Sequence, residues 1–135
     1  MKKLFLKYSA LYDKEIDGRG LAVFRISFAI ILLAEVLQLY YFRHLVFDEI
    51  PYIVLGEIDL TPLLWFWIGT LLMLVIGLYT RFAAIFNYVF LTAIYGTITS
   101  YEYHMMYTYQ IIGFLFIFLP VSKNISIDRL ALTLK

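Results

Sequence analysis

The stretch LAVFRISFAIILLAEVLQLYYF, residues 21–42, decides the reading of the fold. Its only charges are Arg25 and Glu35. About 20 consecutive apolar residues are enough for a helix to cross the hydrocarbon core of a bilayer. Residues 21–41 therefore read as a first membrane span. Working outward, residues 60–80 and 82–101 contain no charge outside their polar junction, Thr80-Arg81, and residues 105–121 form a shorter apolar run closed by Pro120. The expected fold is all-α: an integral membrane four-helix bundle with spans at about 21–41, 60–80, 82–101 and 105–121.

Composition points the same way. Of the 135 residues, 63% are hydrophobic and only 16% are charged. Ordinary soluble domains are about 45–50% apolar and about 25% charged. Mean hydropathy is +0.84. The net charge of +1 gives no electrostatic footprint for nucleic acid. With no cysteine, disulfides, thiolate metal sites and cysteine nucleophiles are excluded.

Residues 1–20 carry Lys2, Lys3, Lys7, Lys14 and Arg19, with Leu4, Tyr8, Leu11 and Tyr12 at helical spacing. They read either as an amphipathic surface helix or as a basic tail. The four-span domain then occupies 21–135. A short apolar core followed by a small-residue cleavage site would mark a signal peptide. The run from Leu21 is too long and has no such site, so it is expected to stay as a helix. Basic residues set orientation. Both termini are expected on the cytoplasmic side of a plasma (inner) membrane, with Arg81, Lys123, Arg129 and Lys135, leaving Arg43 outside. Tyr40, Tyr41, Trp65, Trp67, Tyr101 and Tyr103 fall where an outer aromatic belt would lie.

Few residues offer chemistry. Arg25 either snorkels to the headgroups or fixes a partner helix. Glu35 stands roughly 15 Å along the helix from it, too far to pair. It is a functional candidate or a hydrogen-bonded structural carboxyl, with Gln38 at i+3. Tyr88, Thr92, Tyr95 and Thr99 form one stripe expected to face the bundle interior. Tyr103, Tyr107 and Gln110 share a face of the last span. These groups read as interhelical glue or as a polar pocket opening outward. Gly69, Gly77 and Gly113 offer close-packing positions. Glu102 and His104 sit at the outer start of the last span, where a histidine is a proton-transfer candidate or simply solvated. No metal or phosphate motif occurs, so no catalytic residue and no metal ligand is assigned.

Several short motifs resemble the HTTM family, which includes the vitamin K-dependent gamma-carboxylases. They are Leu21-Ala22-Val23-Phe24-Arg25-Ile26, Gly77-Leu78-Tyr79-Thr80-Arg81-Phe82-Ala83, Tyr107-Thr108-Tyr109, Leu119-Pro120 and Ser126-Ile127-Asp128-Arg129-Leu130. The resemblance implies a helical membrane domain that deprotonates vitamin K hydroquinone with a lysine later in that domain. That region is not in this sequence, no intramembrane lysine is present, and Glu102-Tyr103-His104 lacks the family's Asn-His pair. The resemblance therefore implies either part of a longer enzyme or a reduced relative holding a quinone or isoprenoid pocket. It would work with the lipid bilayer and with a membrane protein partner or a downstream segment. Glu35, Gln38, Thr92, Tyr95, Glu102, His104, Tyr107 and Gln110 are the pocket candidates, and Arg25 is the structural charge. A second resemblance, to DoxX-like four-helix proteins, implies a subunit of a membrane redox complex. A purely structural membrane anchor is the third expectation.

Overall fold

The computed structural model describes residues 18–49, 51, 53, 59–97, 105–121 and 125–134. Six helices lie among them: α1 Arg19–Tyr41, α2 Arg43–Val46, α3 Thr61–Ile76, α4 Thr80–Thr97, α5 Met105–Phe118 and α6 Ile127–Thr133. The chain runs alternately up and down through α1, α3, α4 and α5, each packed on the next. Edge-to-face rings close α5 back onto α1. Phe116 meets Phe24 at 5.6 Å and Phe28 at 5.2 Å, and Tyr109 meets Phe28 at 6.0 Å.

Local chemistry fixes the helix ends. Asp59 accepts the Thr61 amide at 2.9 Å and Pro62 supplies a preset φ, so α3 starts there. Gly77, at φ +73°, ends it. The Gly77 and Leu78 amides both donate to the Met73 carbonyl, a Schellman-like close that needs a left-handed residue. Pro120 lies two residues beyond the end of α5, and Ser126 opens α6 by accepting the Arg129 amide at 3.2 Å.

The all-α expectation agrees with this architecture; the four membrane spans do not. Among the described residues, only α1, with 23 residues, is long and apolar enough to cross a membrane. At 1.5 Å per residue, α3 with 16 residues and α5 with 14 residues reach only roughly 24 and 21 Å, against about 30 Å of hydrocarbon. On α4 the described residues hold a shorter apolar stretch, Thr80–Ile94. The expectation counted apolar residues that belong to turns and caps, such as Leu60, Leu78, Tyr79, Leu119 and Val121. The multi-pass arrangement, the plasma-membrane location, the cytoplasmic termini and the lipid-bilayer partner rested on four spans, and they fall with them. The expected segment 1–20 lies outside the described residues up to 17, and Arg19 and Gly20 already belong to α1.

Rotation of the helices also differs from expectation. Trp67, expected in an outer aromatic belt, is fully buried with Leu64, Ile68, Leu71 and Leu74. Its indole N–H donates to Asn87 Oδ1 at 2.9 Å. On α4 the buried face is Ala83, Ala84, Asn87, Phe90, Leu91 and Ile94. Thr92, expected to face inward, is exposed, and its hydroxyl donates to the Tyr88 carbonyl of its own helix at 3.0 Å. The two small alanines let α4 approach its neighbours on that face, and this outweighs the weak pull of the Tyr and Thr hydroxyls toward the interior.

The glycines separate cleanly. A methyl at Gly77 would meet Ser126 Cβ at 2.5 Å, its Cα at 2.8 Å and an Arg25 nitrogen at 2.9 Å, on a backbone at positive φ. A methyl at Gly69 would meet nothing within 4 Å. Gly77→Ala is therefore expected to destabilise the fold by about 3 kcal/mol, combining left-handed strain with overpacking. Gly69→Ala, inside a helix, should raise stability by up to about 1 kcal/mol. Chemical denaturation of the two variants beside the parent chain measures both.

Candidate functional site

The polar centre of the molecule is built where the start of α1, the α3–α4 turn and the segment joining α5 to α6 meet. Arg25 is 0% exposed. Its two terminal nitrogens donate to the Val121 carbonyl at 2.7 Å and the Ile125 carbonyl at 2.6 Å. Charge-assisted bonds of this kind contribute about 1.5–3 kcal/mol each. Nε has no partner in this arrangement. Burial lowers the Arg25 pKa, and the negative charge of Asp128 opposes that shift. A guanidinium keeps its proton in proteins, so the charge stays buried and is answered by carbonyl dipoles.

Asp128 completes the clasp. Its carboxylate accepts the Tyr79 amide at 2.8 Å, the Thr80 amide at 2.9 Å and the Thr80 hydroxyl at 2.8 Å. It thus caps α4 from another helix, at the end where the helix dipole favours an anion. In return, the Asp128 amide donates to the Gly77 carbonyl at 3.1 Å. Desolvation pushes the Asp128 pKa up, but the bonds from Thr80 and Tyr79, with the Arg25 charge, outweigh it and hold the carboxyl below its ordinary value.

Two non-glycine residues in the left-handed region flank these bonds: Tyr79 at φ 44° and Ile125 at φ 48°. Such residues carry about 1–3 kcal/mol of strain each and persist only where the surroundings over-determine them. Here the surroundings are the hydrogen bonds themselves. The Tyr79 amide is bound by Asp128, and the Ile125 carbonyl is bound by Arg25.

Among the described residues, none of the expected pocket residues takes part in this clasp. Glu35 and Gln110 are half-buried, whereas Gln38, Thr92 and Tyr107 are exposed, Tyr107 by 60%. Tyr95 belongs to α4 but its side chain lies outside the described residues, as do Glu102 and His104. At the opposite end of α1 a smaller polar group forms: His44 Nδ1 lies 3.1 Å from Asp48 Oδ2, and Arg43 sits 4.8 Å from the Tyr40 ring centre. Among the described residues, no three histidine, aspartate or glutamate side chains could share a metal ion. Asp128, Thr80 and Asn87 were not singled out individually by sequence reasoning. Ser126 followed by an acidic residue in the first turn is a helix-start signal that could have marked α6.

A comparison with protein-family models, with curated proteins and with solved structures finds no match to this chain. Neither the HTTM nor the DoxX-like resemblance gains support from it. The expected quinone-holding membrane module, with its alternatives as a redox-complex subunit and an enzyme fragment, rested on four membrane spans and is corrected with them, since one helix among the described residues is long and apolar enough to cross a membrane. Three of the motifs that carry the main resemblance are the three pieces of the clasp.

The clasp should be visible in the pH dependence of stability. Asp128 has a folded pKa below the ordinary 3.8. Its contribution is complete above that value and is lost as pH falls through the folded pKa. Asp128→Asn is expected to lose about 2 kcal/mol at pH 7 and to show a shallower loss of stability below about pH 4. Denaturation midpoints of both chains between pH 2 and 7 check this. In the other direction, Ile125→Asn should relieve left-handed strain and raise stability by about 1 kcal/mol with the Arg25 bond kept.

Proposed function

We propose that this chain is a non-catalytic helical assembly module: its buried polar residues hold its own fold, and its apolar outer faces pack against other protein helices. One observation carries the reading. Every long helix presents large apolar side chains outward as well as inward: Ile31 on α1, Phe66 on α3, Val89 on α4 and Ile111 on α5 are all more than half exposed. Single exposed apolar residues need no explanation, but contiguous patches beyond a few hundred Å² mark interaction surfaces.

The interior supports the same reading. The polar groups with the most specific geometry, Arg25, Asp128, Thr80, Trp67 and Asn87, spend their hydrogen bonds on this chain's own backbone and side chains. Among the described residues, the buried side-chain nitrogens left without a partner are Arg25 Nε and Asn87 Nδ2. Three of the motifs behind the resemblance supply the residues of the clasp.

Native mass spectrometry of the chain released from expressing cells tests the proposal. The expected particle contains more protein than one 15.9 kDa chain. Ile31→Glu, at an exposed position, should reduce that mass without unfolding the chain. A particle with the protein mass of one chain, its remaining mass lipid or detergent, would mean that lipid covers the outer faces, and would overturn the reading.

A further inference from the structure

The last helix, α6, is attached to the molecule differently from the four long helices. Each of those buries side chains in the core, whereas no residue of α6 is buried. Leu130, Leu132 and Leu134 are all more than half exposed, Leu134 by 80%. Apolar burial therefore does little to hold α6 in place. Its attachment runs through the clasp. Asp128 accepts three bonds from Tyr79 and Thr80, the Asp128 amide donates to Gly77, and the Ile125 carbonyl accepts from Arg25.

These bonds work against the backbone. Ile125 immediately precedes Ser126, the α6 cap, and stands at φ 48°. A β-branched side chain is an outlier in the left-handed region. Tyr79 stands at φ 44°. Each of the two strained residues carries a bond of the clasp, so their strain belongs to the closed state. Letting go of α6 frees both to return to ordinary conformations. Bonds gained and strain incurred thus oppose each other at the same residues, and such a balance makes an element bistable.

The rest of the molecule keeps its packing without α6. The rings that close α5 onto α1 belong to Phe24, Phe28, Tyr109 and Phe116. Val121 precedes Ile125, so Arg25 retains the Val121 carbonyl when α6 leaves.

We infer that α6 is a strap: it opens as one unit about Ile125 while the four long helices stay packed. Opening bares the Tyr79 and Thr80 amides, the Thr80 hydroxyl and one terminal nitrogen of Arg25. Access to these donors is what the strap controls. This inference stands apart from the reading of the chain as an assembly module.

Amide hydrogen exchange of the full chain, followed residue by residue by NMR, tests the strap. Three amides report on it from two sides: Asp128 on α6, and Tyr79 and Thr80 where α4 begins. They should share one protection factor, roughly 100-fold or more below that of the buried core residues Leu71 and Leu91. Ile125→Asn, which keeps the carbonyl and relieves the strain, should raise this shared protection about fivefold. Protection equal to that of the core would mean that the clasp opens only when the whole fold does, and would overturn the strap. Fast exchange at Tyr79 and Thr80 with Asp128 at the core level would overturn it too, because only the carboxylate would then be letting go. Fast exchange confined to Leu130 and Leu134 would reduce α6 to a fraying end. Shared protection that Ile125→Asn leaves unmoved would rule out Ile125 as the hinge and sink the proposal.

Discussion

The structure depends on one buried charge. Arg25 lies in the first turns of a helix whose surroundings are otherwise apolar, and an unanswered guanidinium there would cost several kcal/mol. It is answered by the carbonyls of Val121 and Ile125, residues about a hundred positions away in sequence. That demand brings the end of α5 and the start of α6 back to the beginning of α1. It also explains why glycine is needed at 77. The Arg25 side chain and the Ser126 backbone both press on that position, and no side chain fits between them.

The clasp is organised as a chain of mutual constraints. Asp128 caps α4 because Ser126 caps α6 and so aims the first turn of α6 at the α3–α4 turn. Tyr79 adopts a left-handed conformation that places its amide on Asp128, and Ile125 adopts one that places its carbonyl on Arg25. Each strained residue is held by a charge-assisted bond strong enough to offset roughly its own strain. Three separate stretches of sequence, around Arg25, Gly77 to Thr80, and Ser126 to Asp128, therefore constrain one another.

Much of this was legible locally and little of it globally. Pro120 read as a stop, and α5 ends two residues before it; Gly77 read as a close-packing position within a span, and it ends α3. What hydropathy did not reveal was how much of each apolar run lies in turns, so the runs ending in Leu78-Tyr79 and Leu119 looked longer than the helices they contain. The rotation of α3 was illegible for a different reason. A helix apolar on every face offers no polar side to set its phase, so Trp67 passed for an interfacial residue although it lies in the core with Leu64 and Leu71. On α4 the tyrosine and threonine stripe gave a false phase, because a hydroxyl can satisfy itself on its own helix, as Thr92 does. Asn87 has no such escape, and it is the one drawn inside. The pairing of Arg25 with the far end of the chain has no local signature at all.

The same argument applies to the outer surface. Overall hydropathy counts α1 as apolar on every side and is blind to the difference between a face that meets this chain's core and one that meets something else. Spacing is blind to it as well, because seven residues make nearly two turns of any helix. The buried positions Ala22, Arg25, Ala29, Leu32 and Val36 step alternately by three and four. The exposed positions Gly20, Ser27, Ala34 and Tyr41 step by seven in the same way. What separates the faces is what they touch: Phe28 meets the rings of Tyr109 and Phe116 on α5, while Ile30 and Ile31 stay half exposed.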